Sequence, residues 1–146
     1  MYGHILVATD GSRLSTHAVK AAAQLARASG GKVTLFHVIP EFKIPYYPDG
    51  FIHSFGSKSE YVKETGASAA KLIGKAKELF DKKVKVLGLH GYSDSPAKAI
   101  LAAAKRQKAD VIVMASHGRH GVEKLLLGSE TQKVVTFAKV PVLVVK

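Results

Sequence analysis

The stretch VIVMASHGRHGVEKLLLGSE, residues 111–130, carries three local signals in one run. Val111–Met114 is short, β-branched and continuously apolar, the pattern of a strand covered on both faces. From Ala115 onward the chain changes to small, glycine-rich and basic residues, which suit a turn. Ser129-Glu130-Thr131-Gln132 then has the form of a capping box, with Ser129 as N-cap and Gln132 three residues on. It opens a helical stripe of Thr131, Val134, Val135 and Ala138. Strand, glycine-rich turn and helix therefore follow one another.

The same order recurs on both sides of this stretch. Apolar runs predict strands at Ile5–Ala8, Val33–Ile39, Val84–Leu89 and Val140–Val145. Between them lie helical stripes: Leu14, Ala18, Ala21, Ala22 and Leu25; then Ala69, Leu72, Ile73, Ala76 and Phe80; then Ala97, Ile100, Leu101 and Ala104. Gly30-Gly31 supplies a helix end with positive φ, and Ser95-Pro96 reads as an N-cap followed by proline at the first helical position. Strands alternating with helical crossovers imply an α/β fold, a five-stranded parallel sheet with helices on both faces. The expected arrangement is a Rossmann-like open sandwich of strand order 3-2-1-4-5. With no internal repeat and no linker, residues 1–146 read as one domain. The exception to the rhythm is Pro40 to about Ser57, rich in proline and glycine, which reads as a long loop. Its Tyr46, Tyr47, Phe51 and Phe55 either cover a ligand or partner or pack against the domain.

Composition sets the outer limits. The chain has 146 residues, 47% of them apolar and 23% charged, ordinary values for a globular protein. It has no cysteine, which excludes disulfides, thiolate zinc sites and a thiol nucleophile. No apolar run approaches the ~18 residues of a membrane span, so a cytoplasmic protein is expected. Twenty-two Lys and Arg against eleven Asp and Glu give a formal charge of +11. Such an excess favours anionic ligands. The lysines, however, are scattered (Lys58, Lys63, Lys71, Lys75, Lys77, Lys82, Lys83, Lys85) rather than interleaved with aromatics, which argues for a solvated surface over nucleic-acid binding.

In an open parallel sheet, ligands bind beyond the carboxyl ends of the strands, where the strand order reverses. Three segments should meet there: Ala8-Thr9-Asp10-Gly11, His37-Val38-Ile39, and the run from Met114 to Gly121. A glycine-rich turn that ends at a helix N-terminus offers free N–H groups and the positive end of a dipole, the combination a phosphate needs. Neither a G-x-x-x-x-G-K-[ST] loop nor a G-x-G-x-x-G turn is present.

The spacing resembles a different pattern. Universal stress proteins that bind ATP carry G-x2-G-x9-G-[ST] after the fourth strand. Here Ala115-Ser116-His117-Gly118 is followed by nine residues, Arg119 to Leu127, and then by Gly128-Ser129. The likeness extends to Ile5–Ser12, His37-Val38-Ile39, Leu125–Ser129 and Val140–Val145. It implies an adenine-nucleotide-binding protein of stress response or signalling, with ATP or AMP as ligand and a homodimer formed through the last strand. The backbone of Val38 would meet the adenine edge. Asp10 would hold the ribose hydroxyls or a phosphate-bound Mg²⁺. Gly118 and Gly128 would let backbone approach the phosphates, joined by Ser129 and the N–H of Glu130. Ala8, Thr9, Met114, His117 and Arg119 complete the expected surroundings. Two positions depart from the family: Ala115 replaces the first motif glycine, and Ala8 stands where proline is usual. Ala115 is tolerated if its φ is negative and crowds the ligand if it is positive.

Single residues admit other readings. Asp10 also fits an Asp-Gly-Ser turn in which its side chain caps the following helix. His117 and His120 flank Gly118, three residues apart; either they reach phosphate oxygens or, the favoured reading, they sit in a solvent-exposed loop. No H-E-x-x-H or similar metal spacing exists. Nothing supports Asp10, Ser12 and His17 as a hydrolytic triad. No base suited to phosphoryl transfer is evident, so an efficient enzyme is not expected, and at most slow Mg²⁺-assisted ATP hydrolysis. The alternative function is a nucleotide-free interaction module whose basic surface binds an acidic protein or nucleic acid. An ATP-using transferase is set aside, because the chain lacks a Ser-Gly-Gly-x-Asp-Ser type of pyrophosphate loop.

Overall fold

The central strand β1, His4–Ala8, is flanked by β2, Lys32–Ile39, on one side and β4, Val111–Ala115, on the other. A computed structural model describes residues 1–44, 56–119 and 127–146; Tyr46, Tyr47, Phe51, Phe55 and His120 lie outside the described residues. Outer strands β3, Val86–Tyr92, and β5, Val142–Val145, complete a parallel sheet of order β3-β2-β1-β4-β5. This is the order expected. Ile5, Leu6 and Val7 are fully buried, each burial worth about 1.5–3 kcal/mol, so the middle of the sheet anchors the core.

Side chains alternate across the strands and separate two apolar layers. Ile5, Val7, Leu35, Val113 and Ala115 pack against α1, Arg13–Ser29, and α2, Lys58–Lys77. Leu6, Phe36, Ile112 and Met114 pack against α3, Pro96–Gln107, and α4, Ser129–Phe137. Right-handed crossovers put α1 and α2 on one face and α3 and α4 on the other, which locates the reversal of strand order between β1 and β4.

Local chemistry sets the element ends. Ser12 caps α1 by accepting the N–H of Ser15 at 3.2 Å, and Gly30 ends it at φ 69°. The helix α2 begins with a full capping box of Ser57 and Glu60 that was not expected. The box expected at Ser129 does not form. Gly128 donates its N–H to the Ser116 carbonyl at 2.8 Å, which pins it in extended backbone as the N-cap and makes Ser129 the first helical residue. Strand β3 starts two residues later than expected, because Val84 donates its N–H to the Asp81 carbonyl in a turn and register with β2 begins at Val33 opposite Val86. Similarly, β5 starts after Pro141, which has no N–H to give to a ladder. No helix among the described residues is long and apolar enough to cross a membrane.

Candidate functional site

Asp10 follows β1 at the reversal point, and both its oxygens are engaged. Oδ1 accepts the N–H of Ser12 at 2.9 Å in an Asx turn, as the alternative reading had it, but Ser12 and not Asp10 caps α1. Oδ2 accepts the N–H of Arg119 at 3.0 Å, across 109 positions of sequence. The carboxylate thus clasps the turn after β1 to the turn after β4. Burial pushes its pKa up, but the bonds from Ser12, Ser15 and the Arg119 backbone outweigh that and hold the pKa below the ordinary carboxylate value. Gly118 makes the clasp sterically feasible: a Cβ on it would lie 3.2 Å from Asp10 Oδ2.

The strand ends divide the remaining residues between the two faces. Ala8, Val38 and Met114 all pack with the α3/α4 layer, and so form an apolar shelf at the carboxyl ends of β1, β2 and β4. Thr9 and Ala115 fall on the other face. The Thr9 hydroxyl meets Ser15 Oγ at 3.2 Å on α1. Ala115 lies in β4 with 7% exposure, and Lys108 is the only non-glycine described residue with positive φ. The condition for tolerating Ala115 is therefore met: its backbone is ordinary strand, and its methyl is buried in the α1/α2 core, away from the shelf.

At the start of α4, Gly128 has no side chain with which to cap the helix, and no side-chain cap bond is present there. The first-turn N–H groups keep the electropositive character of a helix N-terminus. Gly128 itself does not offer its N–H, which Ser116 takes. Ser129 is exposed at the first position. The Glu130 side chain turns elsewhere: Oε2 accepts the Ala97 N–H and Oε1 the Lys133 ammonium, each at 2.8 Å. The Lys133 bond is the main reason its pKa falls below the usual value.

His117 departs from expectation. It is 8% exposed rather than open to solvent, because its ring packs inward beside Gly128. Nδ1 meets Ser116 Oγ at 3.0 Å, while Nε2 is buried with no hydrogen-bond partner among the described residues. Arg119 is exposed; its Nη2 lies 3.2 Å from where a Gly11 Cβ would sit, so its side chain crosses to the α1/α2 face.

One anchoring residue escaped the sequence reading. Thr131 Oγ1 donates to the Ala115 carbonyl at 3.0 Å and ties the first turn of α4 to the end of β4. Its place in an apolar helical stripe gave only the buried position, not the bond. Among the described residues, no cluster of three or more His, Asp or Glu could hold a metal.

This arrangement can be set beside known proteins. A model of the Universal stress protein family matches residues 1–146. The universal stress protein MJ0531 of Methanocaldococcus jannaschii is 36% identical over 147 residues, covering all of this chain and 83% of the relative. The solved structure of MJ0577 from the same organism superposes with a TM-score of 0.83 at 28% identity, covering 100% of this chain and 96% of that one. A universal stress protein solved in complex with cAMP gives 0.64 at 27% identity over 99% and 97%. Since the family pattern spans the chain from end to end and a relative shares more than a third of its residues, the chain belongs to the universal stress protein family.

Proposed function

We propose that this protein binds an adenine nucleotide, ATP or AMP, on the shelf at the carboxyl ends of β1, β2 and β4. Bound nucleotide would set its conformation or choice of partner in a cytoplasmic stress or signalling role. The observation that carries the reading is the Asp10–Arg119 clasp, which holds a glycine-rich turn beside a helix N-terminus that lacks a side-chain cap. An anion in that position gains from the helix dipole and first-turn N–H groups. The apolar side chains of Ala8, Val38 and Met114 suit the base, with the Val38 backbone at its edge. Asp10 suits the ribose hydroxyls. The relative complexed with cAMP supports the ligand class, since cAMP joins adenine, ribose and a phosphate.

His117 Nε2 adds to the case. A buried nitrogen without a partner costs free energy that a ligand oxygen or an ordered water would recover. Each Asp10 oxygen already accepts one N–H, and no acidic cluster accompanies it among the described residues. Mg²⁺ would therefore arrive on the phosphates of ATP rather than reside in the apo protein. Asp10 is held by two backbone N–H groups and His117 Nδ1 meets Ser116 Oγ, so both serve here as binding and positioning groups, and the reading is of a binding protein rather than an efficient enzyme. We further propose that the 1–146 domain forms a homodimer through β5, an edge strand on which Leu143 is 43% exposed.

Isothermal titration calorimetry with ATP, ADP and AMP, with and without Mg²⁺, tests the proposal on protein stripped of co-purified nucleotide. The expected result is micromolar binding, weakened at least tenfold in folded Gly118→Val and Asp10→Asn proteins. Absence of heat with every nucleotide would overturn it. A steep loss of polyanion binding with salt would then favour the basic interaction module suggested by the +11 charge. Metal-dependent turnover of tens per second or more, lost in Asp10→Ala, would overturn the non-enzyme reading.

A further inference from the structure

On the opposite face of the sheet from the shelf, a groove of about 600 Å³ runs between α1 and α2. Strand alternation keeps the two apart: Ala8 and Val38 face the shelf, while Thr9, His37 and Ile39 line the groove. Its apolar lining includes Val19, Ile39 and Leu72, and hydroxyls of Thr16, Thr65 and Ser68 add polar points. Three cations line it: Lys71 and Lys75, one turn apart on α2, and Arg119, whose backbone the Asp10 clasp holds in place. No lining residue is acidic, and none of the three cations is in an ion pair among the described residues.

Like charges gathered around a concave, partly apolar surface repel one another and focus a positive field into it, which an anion relieves. The apolar lining and the volume, within the range of small-molecule sites, call for an organic body rather than a bare ion. We propose that this groove binds an amphiphilic organic anion, with an aryl or medium-chain alkyl body against Leu72 and Leu79 over the buried floor of Val19 and Ile39, and an anionic oxygen head group held by Lys71, Lys75 and Arg119. The His37 ring is fixed for the purpose, since Nδ1 donates to the Thr9 carbonyl at 2.8 Å and leaves Nε2 as the nitrogen available to a ligand. The groove and the shelf lie on different faces of the sheet and meet at Thr9 and Arg119, whose backbone N–H belongs to the clasp while its side chain lines the groove.

The test uses the fluorescent probe 8-anilinonaphthalene-1-sulfonate on the full chain, followed by displacement with decanoate. Decylamine, with the same body and opposite charge, and inorganic phosphate, a head without a body, serve as comparisons. The expected result is one saturable site per chain, emptied by decanoate but not by decylamine, phosphate or AMP. Lys71→Glu/Lys75→Glu, at exposed helix positions, and Ser68→Trp, which fills the groove, should each weaken decanoate at least tenfold with an unchanged circular dichroism spectrum. Four outcomes would overturn the proposal: no saturable binding, equal displacement by decylamine, affinity indifferent to both variants, or stoichiometric displacement by AMP, which would give the groove to the nucleotide.

Discussion

Ala115 shows how a single methyl is judged by the direction in which it points. In the sequence it stands where the family motif has glycine, and its effect on a ligand depends on backbone and side-chain direction. In the fold it is buried with the α1/α2 layer, while the shelf residues face α3 and α4. Ala115→Gly should therefore leave nucleotide affinity within about threefold by calorimetry. It should lower stability by about 1–2 kcal/mol in urea, from added backbone freedom and a lost buried methyl. At the same scale, His4 is buried against Thr34, its Nε2 2.8 Å from the hydroxyl, and burial with the nearby Lys32 charge lowers its pKa. A histidine whose folded pKa lies below 6.5 takes up its proton more readily when unfolded, so acid favours unfolding. Stability should be level above about pH 7 and should fall as pH drops below His4's unfolded value near 6.5. It should fall again below about pH 4, where Asp10 and Glu130, both held below their ordinary values, take up protons. Urea midpoints from pH 8 to pH 3 check this, and His4→Gln should remove only the first decline.

Helix starts carry the lesson at the scale of elements. Ser95 occupies the N-cap of α3 as its residue type suggests, yet its side chain makes no capping bond. The N–H of Ala97 goes instead to Glu130, which comes from the first turn of α4. One carboxylate therefore caps α3 while complementing the dipole of its own helix. Glu130→Ala should cost about 1 kcal/mol and speed amide exchange in the first turn of α3, whereas Ser95→Ala should stay within about 0.5 kcal/mol. Paired denaturation curves and hydrogen exchange distinguish the two. Helix periods and strand runs were legible because apolar spacing is a local property. The partner of a cap is not, because Glu130 and Ala97 are brought together only by the packing of two helices.

For the whole molecule, the edge strand and the charge matter most. β5 is four residues long, and Leu143 on it, with Phe137 on the helix before it, is largely uncovered. The dimer proposed through β5 would cover this apolar edge. Light scattering at micromolar concentration should report a dimer, and Leu143→Lys should convert it to a folded monomer; a monomeric parent protein would refute the pairing. The sequence by itself determined the five strands and four helices found among the described residues, their alternation, and therefore the parallel sheet and the carboxyl end at which a ligand is proposed. These follow from residue periodicity and turn chemistry within a few positions of one another. Only the tertiary structure decided that Asp10 clasps Arg119, that His117 is buried, that Ala115 points away from the shelf, and that lysines scattered in sequence share a groove with an arginine from β4's turn. Each of those depends on which face of a strand or helix a side chain takes after distant segments pack, and burial and hydrogen-bond satisfaction across the whole sheet fix that choice.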